Sequence, residues 1–261
     1  MSGNTSPYPV LPLLGRGLLA GGAAGLTTGL FGLLFAEPVM DRAIRLEEER
    51  SAGGGHDHAH EAEELFSRST QYFGLVVTSV VVGLAVGVFF AVAYALLHRR
   101  SPVHERPWPR AMALAGAGFL ALSLLPGLRY PAAPPGVGDG DTVSERQNLW
   151  LAALVIGVLG MVLAHLVRQR LAGRAAPVRQ LAVTGVVVAT LGVLFLLPGN
   201  PDEVLVPATL LWDFRVLSLA SHAVLWATLG AVFGALGLRA AARAAEPAAA
   251  PAPAPAATSA G

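Results

Sequence analysis

Three histidines alternate with other residues in the stretch GGGHDHAHEAEE, residues 53–64, and carboxylates lie beside them. Imidazole and carboxylate together suit divalent cobalt, nickel, copper or zinc. A segment that follows a run of glycines can fold around such an ion, so we favour metal capture over a solvated loop whose histidines have no role. The candidate ligands are His56, Asp57, His58, His60 and Glu61.

Two further carboxylates, Glu37 and Asp41, are one helical turn apart in AEPVMDRAIRLEEER. Pro38 suits the first turn of a helix, which would put Glu37 near a helix N-terminus, where the helix dipole favours negative charge. The pair can therefore stabilise a short interfacial helix. Alternatively, it presents two hard oxygen ligands at the mouth of a helix bundle, and both interpretations remain open.

Two later segments add more acidic candidates. In GVGDGDTVSER, Asp139 and Asp141 are turn residues or ion ligands, and we favour turn residues. Thr142 and Glu145 fit a capping box for the helix that follows. Glu203, in GNPDEVLVPATLLWD, is a third carboxylate that could pass an ion onward together with Glu37 and Asp41.

A polar stripe follows in LLWDFRVLSLASH, where Arg215, Ser218 and His222 have helical spacing i, i+3 and i+7. These side chains share one face of a helix, and we expect that face to point into the protein. If Trp212 marks the membrane interface, His222 lies about 15 Å deeper, near the bilayer midplane. A histidine at that depth predicts a functional site, with a hydrogen bond to a neighbouring helix as the alternative.

The elements that position these candidate residues are predicted to be membrane-spanning helices. The chain has 261 residues, of which 54% are hydrophobic and only 13% charged, which excludes an ordinary soluble domain. Six predominantly apolar runs are long enough to cross a bilayer. We therefore predict an all-α integral membrane bundle of about six transmembrane helices, over residues 11–36, 72–97, 111–126, 148–167, 181–197 and 214–238.

The distribution of arginine predicts the orientation of this bundle. All 18 basic residues are arginine, and the second and fourth connections and the C-terminal flank are rich in them. By the positive-inside rule these segments face the cytoplasm, so both termini are cytoplasmic and the His/acid-rich loop of residues 37–71 faces outward. Arg215 beside an outward opening would repel a dication unless Asp213 or Glu203 pairs with it, so it is also a candidate structural clamp.

The domain organisation is simple. Residues 1–10 form a short tail, residues 11–238 form the transmembrane domain, and the Ala/Pro-rich residues 239–261 are predicted to be disordered and cytoplasmic. Cysteine is absent, which excludes thiolate ligands, and lysine is absent, which excludes a phosphate-binding P-loop. We find neither HExxH nor GxSxG and predict no enzyme.

Three segments taken together resemble the CbtA family, the predicted cobalt transporter subunits: AEPVMDRAIRLEEE followed by the His-rich stretch, RYPAAPPGVGDGDTVSER, and NPDEVLVPATLLWDFRVLSL. The resemblance covers residues 12–237. It picks out Glu37, Pro38, Asp41, His56 to His60, Tyr130, Pro131, Pro134, Pro135, Asp139, Thr142, Arg146, Asn200, Glu203, Pro207, Trp212, Phe214, Arg215 and Ser218. Asp213 and His222 do not match a fixed position of the family.

The resemblance implies a multi-pass subunit for cobalt uptake into the cell, linked to cobalamin synthesis. It also implies a small single-span partner that carries its own histidines, like CbtB, and no tightly bound cofactor other than the transported divalent metal. Arg146, Trp212, Arg215 and Ser218 are expected to support the structure or gate the route. The alternatives are a metal-binding membrane sensor or scaffold that transports nothing, a transporter of nickel or zinc, and, ranked last, a membrane hydrolase.

Overall fold

The computed structural model describes residues 10–53, 68–99, 105–135, 137–202 and 206–245. Within these ranges the chain is helical and has no strand. The α-helices are α1 (Val10–Phe31), α2 (Glu37–Gly53), α3 (Arg68–His98), α4 (Pro107–Phe119), α5 (Leu125–Arg129), α6 (Val143–Arg170), α7 (Ala176–Leu194) and α8 (Ala208–Ala245).

The prediction of six spans is confirmed. Six helices in the described residues are long and apolar enough to cross a membrane: Leu11–Glu49, Thr70–His98, Pro107–Arg129, Gly140–Arg170, Ala176–Leu194 and Ala208–Ala245. Several of them extend beyond the apolar runs of the sequence. The reason is that flanking arginine, tryptophan and proline residues continue the helix while lowering its hydropathy.

Two spans contain a π-helical segment just before a proline. Gly32–Ala36 joins α1 to α2, and the Glu37 N–H donates to the Gly32 carbonyl five residues back. Leu120–Leu124 joins α4 to α5 in the same way. In each case one residue separates the segment from a proline, which is Pro38 or Pro126. Proline has no N–H and crowds the preceding turn, so a wider turn lets the helix continue instead of ending.

Close backbone contact between α1 and α3 is made by glycine. Gly21 on α1 faces Gly83 on α3, and Gly17 faces Gly87 in the same way. A methyl group added at any of these four positions would overlap a backbone carbonyl of the other helix. Small residues spaced by four therefore let these two helices pack closely in lipid.

The main core lies where α8 packs on α1 and α4. Its largest members are Phe90, Tyr94, Trp226 and Phe233, and small side chains such as Ala111 fill the spaces between them. A second core joins α5, α6 and α7 through Leu125, Ala153 and Leu194. Helix α6 contacts the helices of the main core mostly through the Leu120–Leu124 segment and α5, which pack against it.

The bundle has two chemically distinct ends. Arg16 lies over the ring of Phe233 at 5.4 Å, which places the start of α1 beside the last part of α8. We name this end the arginine end, because residues 105–110 and 168–179 also lie there. The opposite end, which carries α2 and residues 130–135, 137–142, 195–202 and 206–207, is the loop end. The first described residues of α1 and the last of α8 therefore lie at the arginine end.

Candidate functional site

A pocket at the loop end contains both carboxylates of the AEPVMD segment. It has a volume of about 650 Å³ and is lined by Glu37, Asp41, Leu33, Pro38, Arg42, Arg45 and Tyr72. We call it the mouth pocket. The expected short interfacial helix is present, but it is a direct continuation of the first span through the π-helical segment. Glu37 consequently does not lie at a free helix N-terminus, so the dipole explanation of its position is wrong.

The start of α2 is held against α8 by an apolar patch and an ion pair. Val39, Ala43 and Leu210 are buried together. Beside them, Arg42 Nη2 lies 3.6 Å from Asp213 Oδ2, and Arg42 Nε also donates to the Pro38 carbonyl at 3.3 Å. Asp213 thus pairs with Arg42 from outside the mouth pocket. The negative charge of Asp213 offsets the positive charge of Arg42. Arg42 therefore opposes the negative field of Glu37 and Asp41 less strongly in the pocket.

The connections before α6 and before α8 are linked by a second polar cluster, which we call the latch. Arg146 Nη1 lies 2.9 Å from Asp202 Oδ2, and Arg146 Nη2 donates to the Asp139 carbonyl at 3.0 Å. The Thr142 hydroxyl donates to Asp202 Oδ1 at 2.6 Å and to the Asp139 carbonyl at 2.9 Å. Gly138, at φ 104, turns the chain beside the Arg146 guanidinium.

Asp202 is the residue that the sequence interpretation missed. Its side chain is only 3% exposed, and the hydrogen bond from Thr142 lowers the pKa of its carboxyl group below the ordinary value. The Asp139 amide and the Arg146 charge act in the same direction, whereas burial opposes them. The proline and glycine residues around Asp202 indicate a turn, but nothing in the local pattern identifies a partner 56 to 60 residues away.

Several interpretations of the connection before α6 can now be judged. The Asp139 carboxylate accepts from the Asp141 N–H at 3.0 Å, so Asp139 is a turn residue as favoured. The predicted capping box is wrong, because Thr142 makes no side-chain cap and donates to Asp139 and Asp202 instead. Arg215 Nε donates to the Ala132 carbonyl at 3.4 Å, which agrees with a structural clamp.

The polar stripe on α8 differs from its prediction at one position. Arg215 and Ser218 are half-buried, whereas His222 is exposed, although we expected all three to point into the protein. Four and seven residues further along α8, Trp226 and Leu229 are buried. By helical spacing, His222 lies on the same side of α8 as Trp226 and Leu229. No described helix covers that side at the level of His222. Trp212 is exposed, as suits a residue at a membrane interface.

The remaining candidate ligands divide between two groups. His56, Asp57, His58, His60, Glu61 and Glu203 lie outside the described residues. Among the residues that are described, no group of three or more histidines or carboxylates is close enough to hold a metal ion. Glu37 and Asp41 share the mouth pocket, Asp139 belongs to the latch, and His222 lies apart from both.

The decisive comparison is with protein families. The model of the family described as Probable cobalt transporter subunit (CbtA) matches residues 11–237. The chain belongs to this family. Neither the curated proteins nor the solved structures include one that matches the chain.

Membership of the CbtA family agrees with the structure. The match extends from the start of the first span into the sixth, so it includes the mouth pocket, the latch and most of α8. The protein is a multi-pass membrane protein of the family described as probable cobalt transporter subunits. The resemblance drawn from three segments of the sequence is confirmed.

Proposed function

We propose that this chain is the membrane subunit of an uptake transporter for divalent transition metal, with cobalt as the substrate. The observation that carries the proposal is the mouth pocket, in which Glu37 and Asp41 lie at the loop end of a bundle from a cobalt transporter family. Carboxylate oxygen is a ligand type that divalent metals accept.

The proposed route has three stages. His56, His58 and His60, together with Asp57 and Glu61, collect the ion outside the membrane. Glu37 and Asp41, with Glu203, receive it at the loop end. Polar residues around His222 line the next part of the route.

The membrane potential can drive the proposed import of a divalent cation. An inside-negative membrane potential contributes about 2.3 kcal/mol per charge per 100 mV, or about 4.6 kcal/mol for a dication. This favours import if the loop end faces outward, as the arginine distribution predicts. Since the chain has no lysine for a P-loop, coupling to ATP would have to come from another subunit. A small CbtB-like span with its own histidines is the proposed partner.

Labelled cobalt accumulation tests this proposal in cells that lack their own cobalt importers. The chain is expressed alone, with a candidate small partner, and with His56, His58 and His60 changed to alanine. We expect uptake above background that falls in the triple variant. Unchanged uptake in that variant would remove the histidines from the route but leave transport intact. No uptake of cobalt, nickel or zinc under any condition would favour a sensor or scaffold.

A further inference from the structure

A large groove lies between α3, α4, α6 and α7, on the arginine-end side of the bundle and away from the mouth pocket. Its volume is about 1170 Å³. Most of its wall is apolar and includes Val86, Phe89, Val158, Val162 and Val183. Phe89 and Val162 are 75% and 50% exposed, so large hydrophobic side chains line an open space rather than a packed core.

The polar part of the groove carries an excess of positive charge. Four arginines line it, Arg106, Arg110, Arg168 and Arg179. The acidic side chain among the lining residues is Glu105, which pairs with Arg110 at 3.0 Å. The groove is therefore apolar along most of its length and cationic at one end, a distribution that complements an anionic amphiphile.

The length of the groove corresponds to one leaflet. Along α6 its lining extends from Val158 to Gln169, which is about 17 Å at the helical rise per residue. Half of a bilayer core is about 15 Å. The groove ends there because a methyl group at Gly157 would overlap the Ala121 carbonyl, so α6 and the Leu120–Leu124 segment touch.

Trp226 lies at the floor of the groove. Trp226 lies against Gly118, where added side-chain atoms would overlap its indole ring. Its Nε1 donates to the buried Ser123 Oγ at 3.1 Å. Arg106, at the rim, has a φ of 50, in the left-handed region that residues other than glycine rarely adopt, and it directly precedes the buried Pro107. Such backbone strain is found where the surrounding structure holds a residue in a set position.

We propose that this groove binds one anionic phospholipid. The phosphate group lies against the arginines, and the acyl chains lie along Val158, Val162 and Val183. A transmembrane helix of another protein is a poorer fit, because it would need a contact surface across the whole membrane and the groove spans one leaflet. The proposal does not depend on the transported substrate.

Native mass spectrometry of the full chain, transferred from nanodiscs of phosphatidylcholine and phosphatidylglycerol, tests the charged end. We expect wild type to retain phosphatidylglycerol in preference to phosphatidylcholine. In Arg168→Gln/Arg179→Gln, retention should fall on the order of tenfold. The matched control is Arg170→Gln/Arg174→Gln, which removes the same charge from exposed positions that do not line the groove. Equal loss in both double variants would show general charge attraction and overturn the proposal.

A second pair of variants tests the apolar part without changing charge. Val162→Trp places a bulky side chain in the groove, and Val155→Trp places it on α6 outside the groove, at a position that is also 50% exposed. We expect lipid retention to fall in Val162→Trp alone. Equal retention in the two variants would overturn the proposal. So would cross-linking of position 162 to a helix of another protein with no lipid bound.

Discussion

The two sides of α3 meet the rest of the bundle in opposite ways. On one side Gly83 and Gly87 touch the backbone of α1. On the other side Val86 and Phe89 border the groove, and Phe89 is 75% exposed. The same helix thus forms a close backbone contact on one side and one wall of a large opening on the other. The difference follows from side-chain size, because only glycine allows backbones to touch in lipid.

This contrast divides the bundle into two parts with different roles. Helices α1, α3, α4 and α8 share a continuous core, and α2 extends from it to carry the mouth pocket. Helices α6 and α7 join that core through the Leu120–Leu124 segment and through the latch at the loop end. The region proposed to receive metal is therefore rigidly supported, while the groove is left open on the arginine-end side.

The largest expected effect comes from breaking the tight side of α3. Gly83→Ala would drive a methyl group into the Gly21 carbonyl and the Gly25 backbone, where no flexible side chain can move away. We expect a loss of about 3 kcal/mol in folding stability, at the upper end of the usual cost of overpacking. Thermal unfolding in detergent, followed by the fraction that stays monodisperse, measures it.

Gly74→Ala is the matched control on the same helix, because an added methyl group there meets no atom within 4 Å. It should leave the melting temperature unchanged or raise it slightly, since alanine is favoured over glycine in helices by up to about 1 kcal/mol. Equal melting temperatures for the two variants would contradict the account of this interface.

A smaller effect is expected at the floor of the groove. Ser123→Ala leaves the buried Trp226 N–H without its acceptor. An unsatisfied buried donor costs about 1–3 kcal/mol, so stability should fall by that amount. Ser144→Ala, at an exposed position on α6, should have no effect in the same unfolding assay. If Ser123→Ala were as stable as the control, the indole hydrogen bond would not contribute to the floor.

The smallest effect is expected at the latch, and it depends on pH. The lowered pKa of Asp202 means that the latch stabilises the fold above about pH 4, where the unfolded carboxyl group is also ionised. That contribution is lost as pH falls through the folded pKa. Asp202→Asn should therefore melt below wild type at pH 7, with a difference that shrinks in acid. Asp141→Asn is the control, and a pH-independent difference for Asp202→Asn would contradict the assignment.

The transmembrane spans and the family were predictable from the sequence, because each is recognised from short continuous segments of it. An apolar run long enough to cross a bilayer identifies a helix without knowledge of its neighbours, and six such runs became six helices. Helix continuity was less predictable. Pro38 and Pro126 indicate helix starts or ends, yet the π-helical segments before them carry the helices through. Hydrogen-bond rearrangement of this kind has no distinct sequence signal.

Contacts between connections were not predictable, because they depend on how the spans are arranged. Thr142 and Glu145 matched a local capping pattern, but Asp202 offered Thr142 a charged acceptor. Arg42 pairs with Asp213, a partner that the sequence interpretation had considered only for Arg215. His222 was expected to face inward by spacing alone, whereas its exposure depends on where the neighbouring helices end.

The measurement that tests the central claim most directly is cobalt accumulation by a mouth-pocket variant, Glu37→Gln/Asp41→Asn, with wild type alongside. The control is Glu47→Gln/Glu48→Gln, which removes the same charge from exposed positions on α2 outside the pocket. At equal membrane expression, we predict uptake lower by about tenfold or more in the pocket variant and near wild type in the control. Equal uptake in the two variants would contradict a route through the mouth pocket.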